Sequence, residues 1–106
     1  MPTLIAIFWL VGAGVACAAE PTFTLTLRDH RFVPNEITVP AGQKVKLLVK
    51  NEDATPEEFE STKLNREKVI PGRSEATIFI GPLNPGEYPF FGEFNPKTAT
   101  GRVVVK

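Results

Sequence analysis

The chain has 106 residues, with 12 basic and 12 acidic side chains and a formal net charge of zero. That length fits one domain, and the balanced charge leaves no basic footprint for nucleic acid, so none is expected as a partner. Single-copy residues narrow the chemistry further: Met1, Trp9 and Cys17 lie in the first twenty positions, and His30 and Tyr88 are the other two.

Residues 1–19 carry no charged side chain. The run Leu4–Val11 is apolar, small residues follow, and Ala16-Cys17-Ala18 has the small-x-small pattern of a signal peptidase site. The apolar stretch is short for a membrane span of roughly 20 residues. This pattern predicts a signal peptide over 1–19 and one domain over 20–106. With the leader removed, no Cys or Met remains, which excludes a disulfide, a thiolate metal site and a cysteine nucleophile. A single His excludes a His-cluster zinc site. Ser61 and Ser74 are not paired in sequence with His30, and there is no glycine-rich phosphate loop.

Beyond the leader, prolines and glycines break the chain into short runs with period-two alternation. Phe23–Leu27 alternates apolar and polar residues as a half-buried strand does. Asp29-His30-Arg31 reads as a polar connection. Glu36–Val39 is a second strand, ended by Pro40. After the turn at Ala41-Gly42-Gln43, Val45, Leu47 and Val49 alternate with lysines. Glu57–Ser61 and Lys68–Ile70 are short extended runs, and the stretch Thr62–Glu67 between them is open to one short helix. Pro71-Gly72 turns the chain into Ala76, Ile78 and Ile80. Gly81-Pro82 and Asn84-Pro85-Gly86 are further turn signals. Tyr88–Phe91 and Arg102–Val105 close the series. Seven or so short strands predict an all-β antiparallel sandwich, and no segment is long enough for the crossover helices of an α/β fold.

The segment Phe32-x-Pro34-x-x-Ile37-x-Val39-Pro40-Ala41-Gly42-x-x-Val45 resembles the opening of bacterial cupredoxin-like domains. Asn51-x-Asp53, Tyr88-x-Phe90 and the Gly101-led final stretch also match. The resemblance spans nearly all of residues 22–106 and implies a single cupredoxin-like Greek-key β-sandwich. In a blue-copper relative, a His follows the Asn-x-Asp loop, and a later loop supplies Cys, His and Met. Here those places fall on Glu57 (or Glu58), Gly92, Asn95 and a position near Ala99. With no thiolate available, a blue-copper electron carrier is rejected.

The segments Glu57–Ser61, Arg66–Gly72 and Gly92–Pro96 are similar to a subgroup of these domains from bacterial iron uptake, including the small periplasmic cupredoxin encoded with an iron permease. That likeness implies a periplasmic metal-binding protein holding a copper or iron ion. Its partner would be a membrane iron permease or a periplasmic iron-binding protein. The role implied is to help oxidise ferrous iron or to hand ferric iron on, and whether it is an enzyme stays open.

Glu58 and Glu60 are two apart on an expected strand, so both project from one face while Phe59 points into the core. Neighbouring carboxylates repel unless a cation or proton lies between them. Glu57 would add a third oxygen and Glu93, from the last loop, a fourth. Such an oxygen set suits hard or borderline cations such as iron, manganese or copper(II). A solvated acidic edge that discourages strand pairing is the other reading. Glu67, between Arg66 and Lys68, is a ligand by resemblance and otherwise part of a charge cluster. His30, the one imidazole, is a candidate ligand or an exposed loop histidine held by Asp29. Phe90, Phe91 and Phe94 are expected to pack core and loop, or to form a docking rim for a partner of a metal-free module.

Overall fold

The computed structural model describes residues 20–106, so the expected signal peptide lies outside the described residues. Among the described residues nine strands form: β1 (Thr22–Arg28), β2 (Arg31–Val33), β3 (Glu36–Val39), β4 (Val45–Asn51), β5 (Glu57–Ser61), β6 (Arg66–Ile70), β7 (Ser74–Ile80), β8 (Gly86–Gly92) and β9 (Thr100–Val105). No helix occurs among the described residues. Thr62–Asn65, open to a helical turn on sequence, is instead the tight turn of the β5–β6 hairpin. Its cause is tertiary: the Ser61 hydroxyl accepts from the Leu64 backbone N–H and donates to the Pro89 carbonyl, anchoring the turn to β8.

One sheet has the order β2-β1-β4-β7 and the other β3-β9-β8-β5-β6. The alternating residues meet between them. Leu25, Leu27, Leu47, Val49 and Ile80 face Val39, Phe59, Phe90, Val103 and Val105, all buried. Phe59 and Phe90 stack at 5.0 Å, and Phe32 meets Phe90 edge-on at 4.9 Å. The purely antiparallel arrangement expected from the short strands needs correction, because β1–β4 and β3–β9 are parallel. The chain crosses between sheets after β2 and again after β3, and so returns to β1 running in the same direction. Alternation dictates which side chains are buried, not which strand is the neighbour.

Three connections gather at one end of the sandwich. The β1–β2 turn places Asp29 and His30 at positive φ, 54° and 59°, as a two-residue type I′ hairpin requires. Neither is glycine, and the turn is held from outside: the Asp53 carboxylate accepts both backbone N–H groups, at 2.8 and 2.9 Å. Buried Asn51 organises the second connection, donating to the Thr55, Ile70 and Pro71 carbonyls and accepting from Asp53 N–H. The third, residues 93–99, is tied to the first by the Thr98 hydroxyl on the His30 carbonyl at 2.6 Å. Together they deliver β5, and with it Glu57, to the end of the core.

Candidate metal centre

Strand β5 separates its glutamates by face. Glu57, Phe59 and Ser61 are buried, whereas Glu58 and Glu60 lie half-buried on the outer surface of the sheet. The β5–β6 hairpin then sets Glu67 directly across from Glu60. Like charges opposite one another weaken a sheet, yet here carboxylate oxygens of Glu58, Glu60 and Glu67 all lie within 4.8 Å of one another. Glu93 stands beside them. Its backbone N–H donates to the Glu58 carbonyl at 2.9 Å, and its charge bears on both Glu58 and Glu60.

The electrostatics follow from this crowding. Partial burial, then the charges of Glu67, Glu93 and Glu57, raise the Glu58 carboxyl above its ordinary range. Burial, then Glu93, Glu67 and Glu58, raise that of Glu60. Both shifts mark carboxylates short of positive partners. A divalent or trivalent cation at this surface would supply the missing charge through oxygen donors alone, a ligand set that favours hard or borderline ions.

Glu57 does not face this cluster. It is 3% exposed on the inner side of the strand, and donors surround its carboxylate. Oε1 accepts from the backbone N–H of Glu58 at 3.0 Å and of Phe94 at 2.8 Å, and Oε2 from the Asn95 side-chain amide at 2.6 Å. His30 is also apart from the outer group. Its exposed ring sits 3.6 Å from Asp53, not held by Asp29, in a recess shared with Phe94 and Asn95. Asp53 itself is partly buried, which would raise its carboxyl. The His30 and Asp29 N–H donors, with the nearby charges of His30 and Arg73, outweigh this and hold it below the usual range. Of the three loop aromatics, Phe90 is core, Phe91 is half-buried and Phe94 is 51% exposed.

Sequence reasoning placed Glu67 in the group only by resemblance. The physical signal was the hairpin: a four-residue turn between two short runs sets Glu60 against Glu67. It had no access to Asn51 and Asp53 as organisers of the end loops, although the Asn-x-Asp spacing was visible.

The four positions where a blue-copper relative would carry its ligands do converge. Gly92 N–H donates to the Ala99 carbonyl, Asn95 meets Glu57, and a Cβ on Gly92 would stand 2.6 Å from the Glu57 carboxyl carbon and 2.7 Å from the Ala99 methyl. The donor set there is a carboxylate already engaged by N–H groups, an amide, a glycine and a methyl. It offers no thiolate, and a side chain at Gly92 would collide with Glu57 and Ala99, so a blue-copper centre does not fit.

Comparison with known proteins is consistent with this framework. An uncharacterized protein of Rickettsia prowazekii (strain Madrid E) is 44% identical over 81 residues, which is 76% of this chain and 65% of that protein. The match therefore spans just under two thirds of the relative's length. Auracyanin A, a "blue" copper protein of Chloroflexus aurantiacus, superposes with a TM-score of 0.72 at 16% identity, covering 83% of this chain and 100% of its own. The metal-binding domain of the Streptococcus pneumoniae D39 Cu(I)-exporting P-type ATPase CopA gives 0.68 at 15% identity, over 80% and 84% of the two chains. Amicyanin from Paracoccus versutus gives 0.63 at 18% identity, over 89% and 87%. These structural likenesses establish the fold. A family model for the cupredoxin-like domain matches residues 1–105, and the chain belongs to that family.

Proposed function

We propose that this chain is a periplasmic cupredoxin-like protein that binds iron or copper(II) at Glu58, Glu60 and Glu67, with Glu93 completing the set, and serves iron uptake. The observation that carries this reading is the convergence of three carboxylates from β5 and β6 within 4.8 Å, with no cationic side chain among the described residues paired to them. The similarity of the Glu57–Ser61, Arg66–Gly72 and Gly92–Pro96 segments to iron-uptake cupredoxins supports the iron role, and relatives of the fold include copper-binding proteins. In this reading the protein holds the ion for a membrane permease or a periplasmic iron-binding partner. Its carboxylates stabilise the higher oxidation state, because hard oxygen donors favour the more highly charged ion.

Isothermal titration of the protein with copper(II) and with chelated ferric iron tests this. Stoichiometric micromolar binding that disappears in Glu60→Gln/Glu67→Gln is expected. Binding that persists in that variant, or no binding at all, sinks it.

A second reading is a metal-free module that docks on a membrane or periplasmic partner. The closed Glu57–Asn95 contact and the exposed Phe94 beside it favour it. Partner capture that survives Glu60→Gln/Glu67→Gln and fails with Phe94→Ser would establish it over the first.

A further inference from the structure

A buried carboxylate is costly unless donors surround it. Glu57 is so surrounded, and two of its donors belong to the loop between β8 and β9. The loop's own bonds are few: Gly92 N–H to the Ala99 carbonyl, and Asn95, Thr98 and Ala99 N–H groups closing short turns within it. Its link to the rest of the molecule at Phe94 and Asn95 runs through Glu57.

The neighbouring residue connects this to the outer face. Glu93 lies between Gly92, paired to Ala99 and packed against the Glu57 carboxyl, and Phe94, whose N–H donates to Glu57. Fixing Phe94 from inside holds the Glu93 backbone on β5, where its N–H reaches the Glu58 carbonyl.

We propose that Glu57 is a positioning residue, an internal anion standing where the resemblance puts a metal. Paired with Asn95 and the Phe94 N–H, it orders the 92–99 loop without a cation and sets Glu93 beside the outer carboxylates. The inference is independent of whether those carboxylates take an ion.

Amide hydrogen exchange of the full chain, kept in chelator throughout, tests it. The Phe94 amide should be protected in the unaltered protein. Asn95→Asp conserves shape but sets carboxylate against carboxylate at Glu57 Oε2, whereas Glu57→Gln keeps an oxygen for the Phe94 N–H and lets the Asn95 amide turn its oxygen to the new amide. Asn95→Asp should speed Phe94 exchange by about tenfold to a hundredfold, the scale of a lost charge-assisted hydrogen bond, and Glu57→Gln, which keeps a neutral acceptor, by no more than about threefold. The swapped pair, Glu57→Gln/Asn95→Asp, restores a donor facing an acceptor and should bring exchange back to within about threefold of the unaltered chain. A space-filling role predicts no effect from these isosteric changes and no rescue. Unchanged exchange in Asn95→Asp, no rescue in the pair, or protection of Phe94 that appears only on adding copper(II) or ferric iron would overturn the proposal. Should Asn95→Asp not fold, Asn95→Ala removes one bond only. Faster Phe94 exchange in it supports the assignment, and unchanged exchange overturns it.

Discussion

Glu57 and Glu58 are adjacent in the chain, yet they meet opposite surroundings. The inner carboxylate is buried and holds three N–H donors. The outer ones, at Glu58, Glu60 and Glu67, are more exposed and face mainly one another. Burial alone therefore does not decide whether a carboxylate is strained. What decides it is whether donors or further acceptors lie within hydrogen-bond reach. The inner group is satisfied by the fold, and the outer group would be satisfied by a cation.

The comparison breaks most sharply at Glu57. Glu57→Leu leaves N–H donors of Glu58, Phe94 and Asn95 without their acceptor. Unfolding in urea should show a loss of about 3 kcal/mol or more. Gly92→Ala comes next, because the new methyl would meet the Glu57 carboxyl carbon at 2.6 Å and the Ala99 methyl at 2.7 Å. Overpacking of this kind costs about 1–3 kcal/mol. Combined with Glu57→Ala, the loss should be smaller than the two separate losses together, since the clash with the Glu57 carboxyl goes while that with Ala99 stays.

Acid titration of stability sharpens the same contrast through signs. Asp53, like Glu57, is served by N–H donors, and its folded carboxyl titrates below its unfolded value. Its contribution is present above the unfolded value and is lost as pH falls through the folded one. Asp53→Asn should therefore flatten the acid limb of the stability curve.

Glu58 and Glu60 run the other way, with folded values raised. Their protonation favours the folded state, so this part of the stability declines as pH rises from the ordinary carboxylate range through the raised values. Glu60→Gln should then be more stable than the unaltered chain at neutral pH, by the smallest margin of this series. The advantage should vanish in acid. Thermal melts at a series of pH values read both effects, and a Glu60→Gln variant less stable at neutral pH would contradict the picture of an uncompensated cluster.

Sequence alternation alone determined that the domain is an all-β sandwich, that Phe59 points inward, and that Glu58 and Glu60 share the outer face. Side-chain period two is a local property of extended backbone, and turn residues mark where it stops. The absence of Cys and Met from residues 20–106 likewise decided against a thiolate centre before any coordinates. Only the tertiary structure decided the rest. Parallel pairing of β1 with β4 and the burial of Glu57 among loop donors are contacts between residues far apart in sequence. Glu57 follows the same alternation as Phe59 and so faces inward. What makes a carboxylate tolerable there is Phe94 and Asn95, nearly forty residues away, and local pattern carries no information about donors that far along the chain.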